Sequence, residues 1–396
     1  HPNGRPVLNK GKPKVDAKGK KILDKLGKPK LEKGEPKFVP ASVWLDKNAP
    51  VHQMTWTPAE KKLIYDKVVV DAGWADQPGA VCLNLYQPPP VIAGSAGKAG
   101  PWLDHIRKVY PSDADHIVRW FAHRVQFPGD KINHALMFGG TQGIGKDSIL
   151  EPVKQAVGAW NFGEVSPAGL MGRFNGHLKS VILRVSEARD LGDSNRFSMY
   201  DHMKTISAAP PDVHRVDEKN LREHYVINVC GVVITTNYLT DGIYLPANDR
   251  RTYVAWSEMA EGELTKEYFD KLHGWYRDEG GNGQVAAYLS KLDLSSFDAK
   301  APPPKTAAFW RIVDANRSPE EGELADAIEK LNSPAALTLD QVVAKADESL
   351  SNWLEDRKNR RAIPHRLELV GYIPVRNSGT VGSDGGLWRI ASVKNG

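Results

Sequence analysis

Between Lys131 and Ser257, short apolar runs alternate with stretches whose apolar residues recur every three or four positions. The runs are Ala135-Leu136-Met137-Phe138, Val181-Ile182-Leu183-Arg184-Val185 and Val232-Val233-Ile234-Thr235, and Ile149 to Val157 has helical spacing after the first. A strand buried on both faces reads as a continuous apolar run, and parallel neighbours need crossover segments between them. The alternation therefore predicts an α/β layer built on a mainly parallel sheet.

The flanks read differently. Trp102, Ile106 and Val109, then Ile117, Trp120, Phe121 and Val125, predict two short helices, with Asp113 and Asp115 where helix-starting acids belong. The chain reads helical again from Leu264 to Tyr288. Beyond the breaker run Ala301-Pro302-Pro303-Pro304 come three helical stretches, Leu339 to Ala346, Leu350 to Arg357 and Pro364 to Val370, the last stopped by Gly371. Tyr372-Ile373-Pro374-Val375-Arg376 and Leu387-Trp388-Arg389-Ile390 then flank the turn-rich 377–386, which predicts three helices plus a two-stranded wing. Upstream, residues 41–100 hold strand-like fragments such as Val68-Val69-Val70. They end in Gln87-Pro88-Pro89-Pro90 and a Gly/Ala stretch, and read as an irregular connector. No internal repeat is read. The division expected is a basic flexible segment (1–40), the connector (41–100), a helical subdomain (101–130), a P-loop core (131–300) and a winged-helix-like domain (301–396).

The 396 residues carry a formal net charge of +5, and its location matters more than its size. Residues 1–37 contain eleven Lys and one Arg against four acids, a net of +8, which leaves −3 for the remainder. The basic stretch is either a solvated linker or an arm that contacts nucleic acid. Only two cysteines occur, Cys82 and Cys230. They exclude a disulfide scaffold and offer no zinc spacing, so a reducing, cytoplasmic setting is expected. No window approaches the eighteen or so unbroken apolar residues of a membrane span, so no membrane partner is expected.

Candidate chemistry concentrates at the ends of the apolar runs. Gly140-Thr141-Gln142-Gly143-Ile144-Gly145-Lys146-Asp147-Ser148 follows the first run and opens the first core helix, the setting a phosphate-binding loop requires. Glycines let backbone N–H groups turn inward around phosphate oxygens, the helix N-terminus favours the anion, and Lys146 reaches the β- and γ-phosphates of ATP. The competing reading is a plain glycine turn. Gly-x4-Gly-Lys is normally followed by Ser or Thr, whose hydroxyl ligates Mg²⁺; here Asp147 stands there, with Ser148 one residue further. The second run ends in Ser186-Glu187, where Glu187 fits the activation of water and Ser186 occupies the place of a metal-associated acid. The two departures predict an exchange of ligands, in which Asp147 gives the carboxylate and Ser186 the hydroxyl around one Mg²⁺.

The third run ends in Thr235-Thr236-Asn237. Asn237 is either a sensor that holds the lytic water near the γ-phosphate or a turn former. Asp249-Arg250-Arg251 offers either an arginine finger for a neighbouring subunit or a surface ion pair. Between the second and third runs, the helix end at Lys204 is followed by a hairpin with a polar tip. There His214, Arg215 and Lys219 either touch a nucleic-acid backbone or face solvent.

Taken in order, the Gly140–Asp147 loop, the strand ending in Glu187, Lys204 with the Lys219 hairpin, Thr235-Thr236-Asn237 and Asp249-Arg250-Arg251 resemble superfamily 3 helicases of the AAA+ class. The likeness is strongest to the helicase portion of phage and prophage primase-helicase proteins, and it covers roughly Pro101 to Pro304. It implies a hexameric ring that hydrolyses ATP with Mg²⁺ and moves along single-stranded or forked DNA in the bacterial host cytoplasm. By position, Lys146 binds phosphate, Glu187 activates water, Asn237 is the sensor, Arg250 or Arg251 is the finger, and Lys219, with Lys204 nearby, contacts DNA in the ring channel. A primase-polymerase domain often precedes such a motor, which suits a chain that begins with His rather than Met. The alternative is an ATP-switched, DNA-binding replication initiator or helicase loader without unwinding activity.

Overall fold

The computed structural model describes residues 5–8, 13–30, 36–39, 51–186, 192–239, 243–315, 319–360, 363–375 and 387–390. Two compact units divide the chain: 1–237 with 250–304, and 238–249 with 305–396.

In the first unit, β1 (Arg5–Leu8) pairs antiparallel with β2 (Pro36–Val39). Between them, where a flexible segment was expected, antiparallel bridges join Val15 to Lys21 and Leu23 to Pro29, closing two tight hairpins. An eight-residue repeat underlies them and overturns the reading of a repeat-free chain. Gly11, Gly19 and Gly27 are eight apart, as are Lys12, Lys20 and Lys28, and the apolar Val7, Val15 and Leu23. Lysine-rich composition conceals the period, because Lys also occurs at four of the six octad positions that vary.

The expected irregular connector is also structured. β3 (Gln53–Thr55), β4 (Leu63–Val70) and β5 (Gly73–Asn84) form a sheet in the order β3-β5-β4, with β4 and β5 an antiparallel hairpin. Its inner positions include polar groups that break the apolar alternation. Gln53 acts as a surrogate backbone, its Nε2 donating to Val69 O (2.6 Å) and its Oε1 accepting from Val69 N (2.7 Å). The buried Asn84 side chain likewise serves the backbone of Thr57 and Tyr86.

The helices α1 (Gly100–Val109) and α2 (Ala114–Gln126) bury the predicted stripes. Their polar atoms are tied into the core beyond them: Trp102 Nε1 donates to Ile149 O, Tyr110 Oη to Gly139 O and Trp120 Nε1 to His134 O. Then follow β6 (Ala135–Gly139), α3 (Lys146–Val157), β7 (Phe162–Val165), α4 (Pro167–Leu170), β8 (Ile182–Val185) and α5 (Gly192–Ser207). Next come the hairpin β9 (Val213–Val216) and β10 (His224–Ile227), then β11 (Gly231–Thr236) and β12 (Thr252–Trp256). α6 (Lys266–Asp278) and α7 (Gly281–Leu289) split the predicted helical stretch at Gly280, which takes a left-handed φ of 73°.

The sheet has five strands, all parallel, in the order β12-β6-β11-β8-β7. The expected mixed α/β layer is therefore present, and β6 and β11 are buried along their whole length. One consequence was not foreseen: β11 lies between β6 and β8, so the loop after β6 faces the end of β11 first and the end of β8 beyond it.

The second unit contains α8 (Ala307–Ala315), α9 (Pro319–Glu329), β13 (Ala336–Thr338), α10 (Leu339–Val343), α11 (Glu348–Glu355), α12 (Ile363–Leu369), β14 (Tyr372–Val375) and β15 (Leu387–Ile390). Leu324, Leu337, Val342, Leu350, Leu354 and Leu367 form its core. The three predicted helices and the two strands are found, but β13 adds a third strand in the order β13-β15-β14. The turn at 377–386 lies outside the described residues. Among the described residues no helix is long and apolar enough to cross a membrane.

Candidate functional site

The loop from Gly140 to Gly145 leaves the central strand β6 and enters α3. Gly143 and Gly145 take left-handed φ angles of 80° and 89°, which side chains rarely tolerate. A Cβ on Gly145 would lie 2.5 Å from the His105 ring, so the loop is packed tightly from behind. A Cβ on Gly143 would meet nothing within 4 Å, so the loop is open in front. His105 fixes the loop's rear: its Nε2 sits 3.0 Å from Gly145 O and its Nδ1 3.0 Å from Tyr268 Oη. Thr141 Oγ1 donates to Met259 O, while the Thr141, Gln142 and Gly143 residues are exposed and Ile144 is buried as the loop's apolar anchor.

Lys146 lies across the mouth of this cradle. Its Nζ donates to Gly140 O (2.7 Å), Thr141 O (2.8 Å) and Asn237 Oδ1 (2.7 Å). Burial, with a smaller repulsion from Arg184, lowers its pKa to about 8. Asn237, at the end of β11, thus stands beside the loop lysine, as the strand order requires. Ser148 turns away from the cradle, its Oγ 2.9 Å from His273 Nε2. A cavity of about 300 Å³ opens there, lined by Asp147, Ser148, Glu151, His273, Tyr276, Arg277 and Asn282. The Asn282 Oδ1 is buried without a partner among the described residues.

The residues expected around the metal are arranged less simply. Asp147 Oδ1 is 2.5 Å from an Arg184 guanidinium nitrogen. Arg184 lies inside the second apolar run, on β8. Ser186 is half-buried just past β8, its backbone N–H bonded to Val165 O, and Glu187 lies outside the described residues. The oxygens of Asp147 and Ser186 have the hardness that Mg²⁺ prefers, but coordination by Asp147 requires its ion pair to open. Among the described residues no group of three or more His, Cys, Asp or Glu side chains is placed to hold a metal ion.

The two arginines separate in role. Arg251 donates to Lys204 O (2.9 Å) and its own carbonyl accepts from Ala135 N, so it belongs to the frame beside β6. Arg250 is exposed.

The hairpin residues separate as well, because alternate strand positions face opposite ways. Lys219 is exposed at the tip, next to Asn220 with a φ of 64°. Arg215 faces outward but is held by Glu223 across the hairpin. His214 turns inward, contrary to the expectation of a DNA contact: its Nε2 is buried without a partner among the described residues, and burial with nearby Lys131 pushes its pKa down to about 4. Lys204 is paired with Asp201 (2.6 Å) and lies over the Tyr200 ring. The loop that carries Lys219 is tied down just before it, by Asp217 on Arg173 and Glu218 on Lys179.

This arrangement can be set beside known proteins. Residues 137–251, from β6 to Arg251, match a family of unknown function (DUF5906). The DNA Primase-polymerase of Nitratiruptor phage NrS-1 is 23% identical over 184 residues, which are 45% of this chain. The chain spans about a quarter of that relative's length, 25%. An apo structure of the NrS-1 C terminal region gives a TM-score of 0.56 at 16% identity, covering 90% of this chain and 91% of the other. A second, the A form, gives 0.58 at 15% identity over 90% and 92%. The fold is that of the NrS-1 C terminal region. At these identities the likeness concerns fold alone.

Proposed function

We propose that this chain is the motor portion of a phage or mobile-element replication protein, an ATP-driven DNA helicase or translocase of the superfamily 3, AAA+ kind. The observation that carries the reading is Lys146, held at a loop open to ligand with its ammonium between two loop carbonyls and Asn237. Those three acceptors can be exchanged for phosphate oxygens without moving the backbone.

In this reading the triphosphate of ATP occupies Gly140–Lys146. Its nucleoside extends past Asp147 and Ser148 into the cavity bordered by His273 and Asn282. Asn237 is the γ-phosphate sensor and Glu187 activates the lytic water. Mg²⁺ supplies charge neutralisation at the phosphates, with Asp147 and Ser186 as its oxygen donors. Arg250 reaches the next subunit of a hexameric ring, a role for which its exposure and the engagement of Arg251 favour it. Lys219 projects toward single-stranded or forked DNA. The 301–396 region is a winged-helix-like DNA-holding domain, and a primase-polymerase domain precedes the motor in the full protein, as the name of the NrS-1 relative suggests.

Strand displacement on a forked duplex tests the reading. Wild type with ATP should unwind it and Lys146→Ala should not. ATP hydrolysis and DNA binding without unwinding would instead support an ATP-switched initiator or loader.

A further inference from the structure

The octad repeat builds an ordered object out of what reads as loose chain. The eighth residues of successive octads, Lys14, Ile22 and Lys30, close a ring of backbone hydrogen bonds. Lys14 N donates to Lys30 O (2.7 Å), Ile22 N to Lys14 O (2.8 Å) and Lys30 N to Ile22 O (2.7 Å). One hairpin leaves the ring between Lys14 and Ile22 and another between Ile22 and Lys30, and the β1–β2 ladder joins the chain before the ring to the chain after it. Each hairpin has the same turn. Asp16 Oδ1 accepts from Lys18 N and Lys20 N, Asp24 Oδ1 accepts from Leu26 N and Lys28 N, and Gly19 and Gly27 take φ angles of 78° and 75°.

The charge distribution follows from that geometry. Residues 13–30 hold seven Lys and two Asp. Both carboxylates are bonded to their own turns, whereas every one of the lysines is exposed and none forms an ion pair among the described residues. We infer that this ring of hairpins is a nucleic-acid-binding surface, a contact separate from the Lys219 hairpin, that grips the phosphate backbone without reading bases.

Lysine is a hydrated point charge suited to sequence-independent phosphate contact, whereas interfaces that recognise proteins favour Arg and aromatic rings. Here Arg5 is the single Arg among residues 1–37, and no aromatic residue occurs there. The rest of the chain, at −3, repels a polyanion overall, so the net electrostatic attraction comes from this module, and contacts elsewhere rest on individually placed residues such as Lys219.

The test uses the whole chain and a labelled single-stranded oligonucleotide, with affinity followed by fluorescence anisotropy between 50 and 200 mM KCl. Replacing Lys18, Lys20, Lys25 and Lys28 by Gln should weaken binding about tenfold or more at low salt and reduce the slope of log affinity on log salt by about 3. An unchanged slope overturns the inference. Asp16→Ala with Asp24→Ala removes two negative charges but also removes the turn bonds. Binding should weaken if the folded array is the contact, and tighter binding would overturn the folded surface. A preference for polyglutamate over the oligonucleotide would assign the surface to an acidic protein and overturn the inference as well.

Discussion

Asp147 and Arg184 are joined by a 2.5 Å ion pair that links the first turn of α3 to β8, across the strand that separates β8 from the phosphate loop. The two partners are unequal. The Asp147 side chain is 74% exposed and the Arg184 side chain 18%, so the acid is the partner free to leave. The arginine stays in place with a buried Nε that has no acceptor among the described residues. With its acidic partner so exposed to solvent, the pair is weakly held from the Asp147 side. When it opens, Arg184 stands as a second cation beside Lys146, close enough to help depress the lysine's pKa.

That arrangement predicts how nucleotide affinity responds to metal. In EDTA, Asp147→Asn should bind ADP several-fold more tightly than wild type, because the guanidinium is released toward the phosphates. Arg184→Gln should bind it about tenfold more weakly, the loss of one charge-assisted hydrogen bond. Titration calorimetry reads both. Equal affinities in the three proteins would reduce the pair to a surface contact, while a protein that binds no nucleotide at all would remove the motor reading itself.

Arg250 and Arg251 should fail in different ways. Arg251→Ala loses a hydrogen bond from a charged donor to Lys204 O, a cost of about 1.5–3 kcal/mol that lowers the melting temperature by several degrees. Arg250→Ala should leave the melting temperature alone and reduce ATP hydrolysis by about a thousandfold, the scale of an arginine finger. If Arg250→Ala hydrolyses ATP normally, the finger lies elsewhere.

The sheet and the loop were legible because each rests on a local rule. Two-sided burial makes β6, β8 and β11 apolar runs, and a strand–glycine loop–helix passage has few other uses. Residues that act across elements were not legible. His105 interrupts the apolar stripe of α1 between Trp102 and Ile106, but only the packing of α1 against the loop reveals that it braces Gly145. Arg184 sat in plain view inside an apolar run, and its partner is 37 positions away in sequence. His214 was misjudged because a four-residue strand gives too short an alternation to say which face is inward. The β3–β5 sheet escaped because Gln53 and Asn84 put polar side chains where apolar ones mark a strand.

The hairpin sorts its basic residues by face, and DNA response should follow that sorting. Lys219→Ala should keep basal ATP hydrolysis and lose its stimulation by single-stranded DNA. Arg215→Gln, outward but already bound to Glu223, should stimulate nearly as wild type does. His214→Ala should instead lower the melting temperature, since it empties a buried site, with DNA stimulation intact at low temperature. Unchanged stimulation in Lys219→Ala would end the channel role of the tip.

Three histidines near the start of β6 predict a loss of stability in mild acid. His116 and His134 meet through their Nε2 atoms at 3.0 Å, and His116 stacks on Tyr253, whose hydroxyl donates to Asp113. Burial pushes His116 and His123 down to about 4 and His134 down to about 3. An unfolded histidine titrates near 6.5, so between about pH 6.5 and 4 the unfolded chain binds more protons than the native one, and stability falls as pH falls. Asp113, whose pKa burial raises, acts in the opposite direction at the acid end of this window, and Asp115 eases the charging of His116 slightly. The melting temperature should therefore drop steeply from pH 6.5 to pH 4.5. His116→Gln, which keeps a hydrogen-bonding group beside His134 but cannot titrate, should flatten that drop. A melting temperature that is level across the window in wild type would mean that these rings are not held neutral by burial.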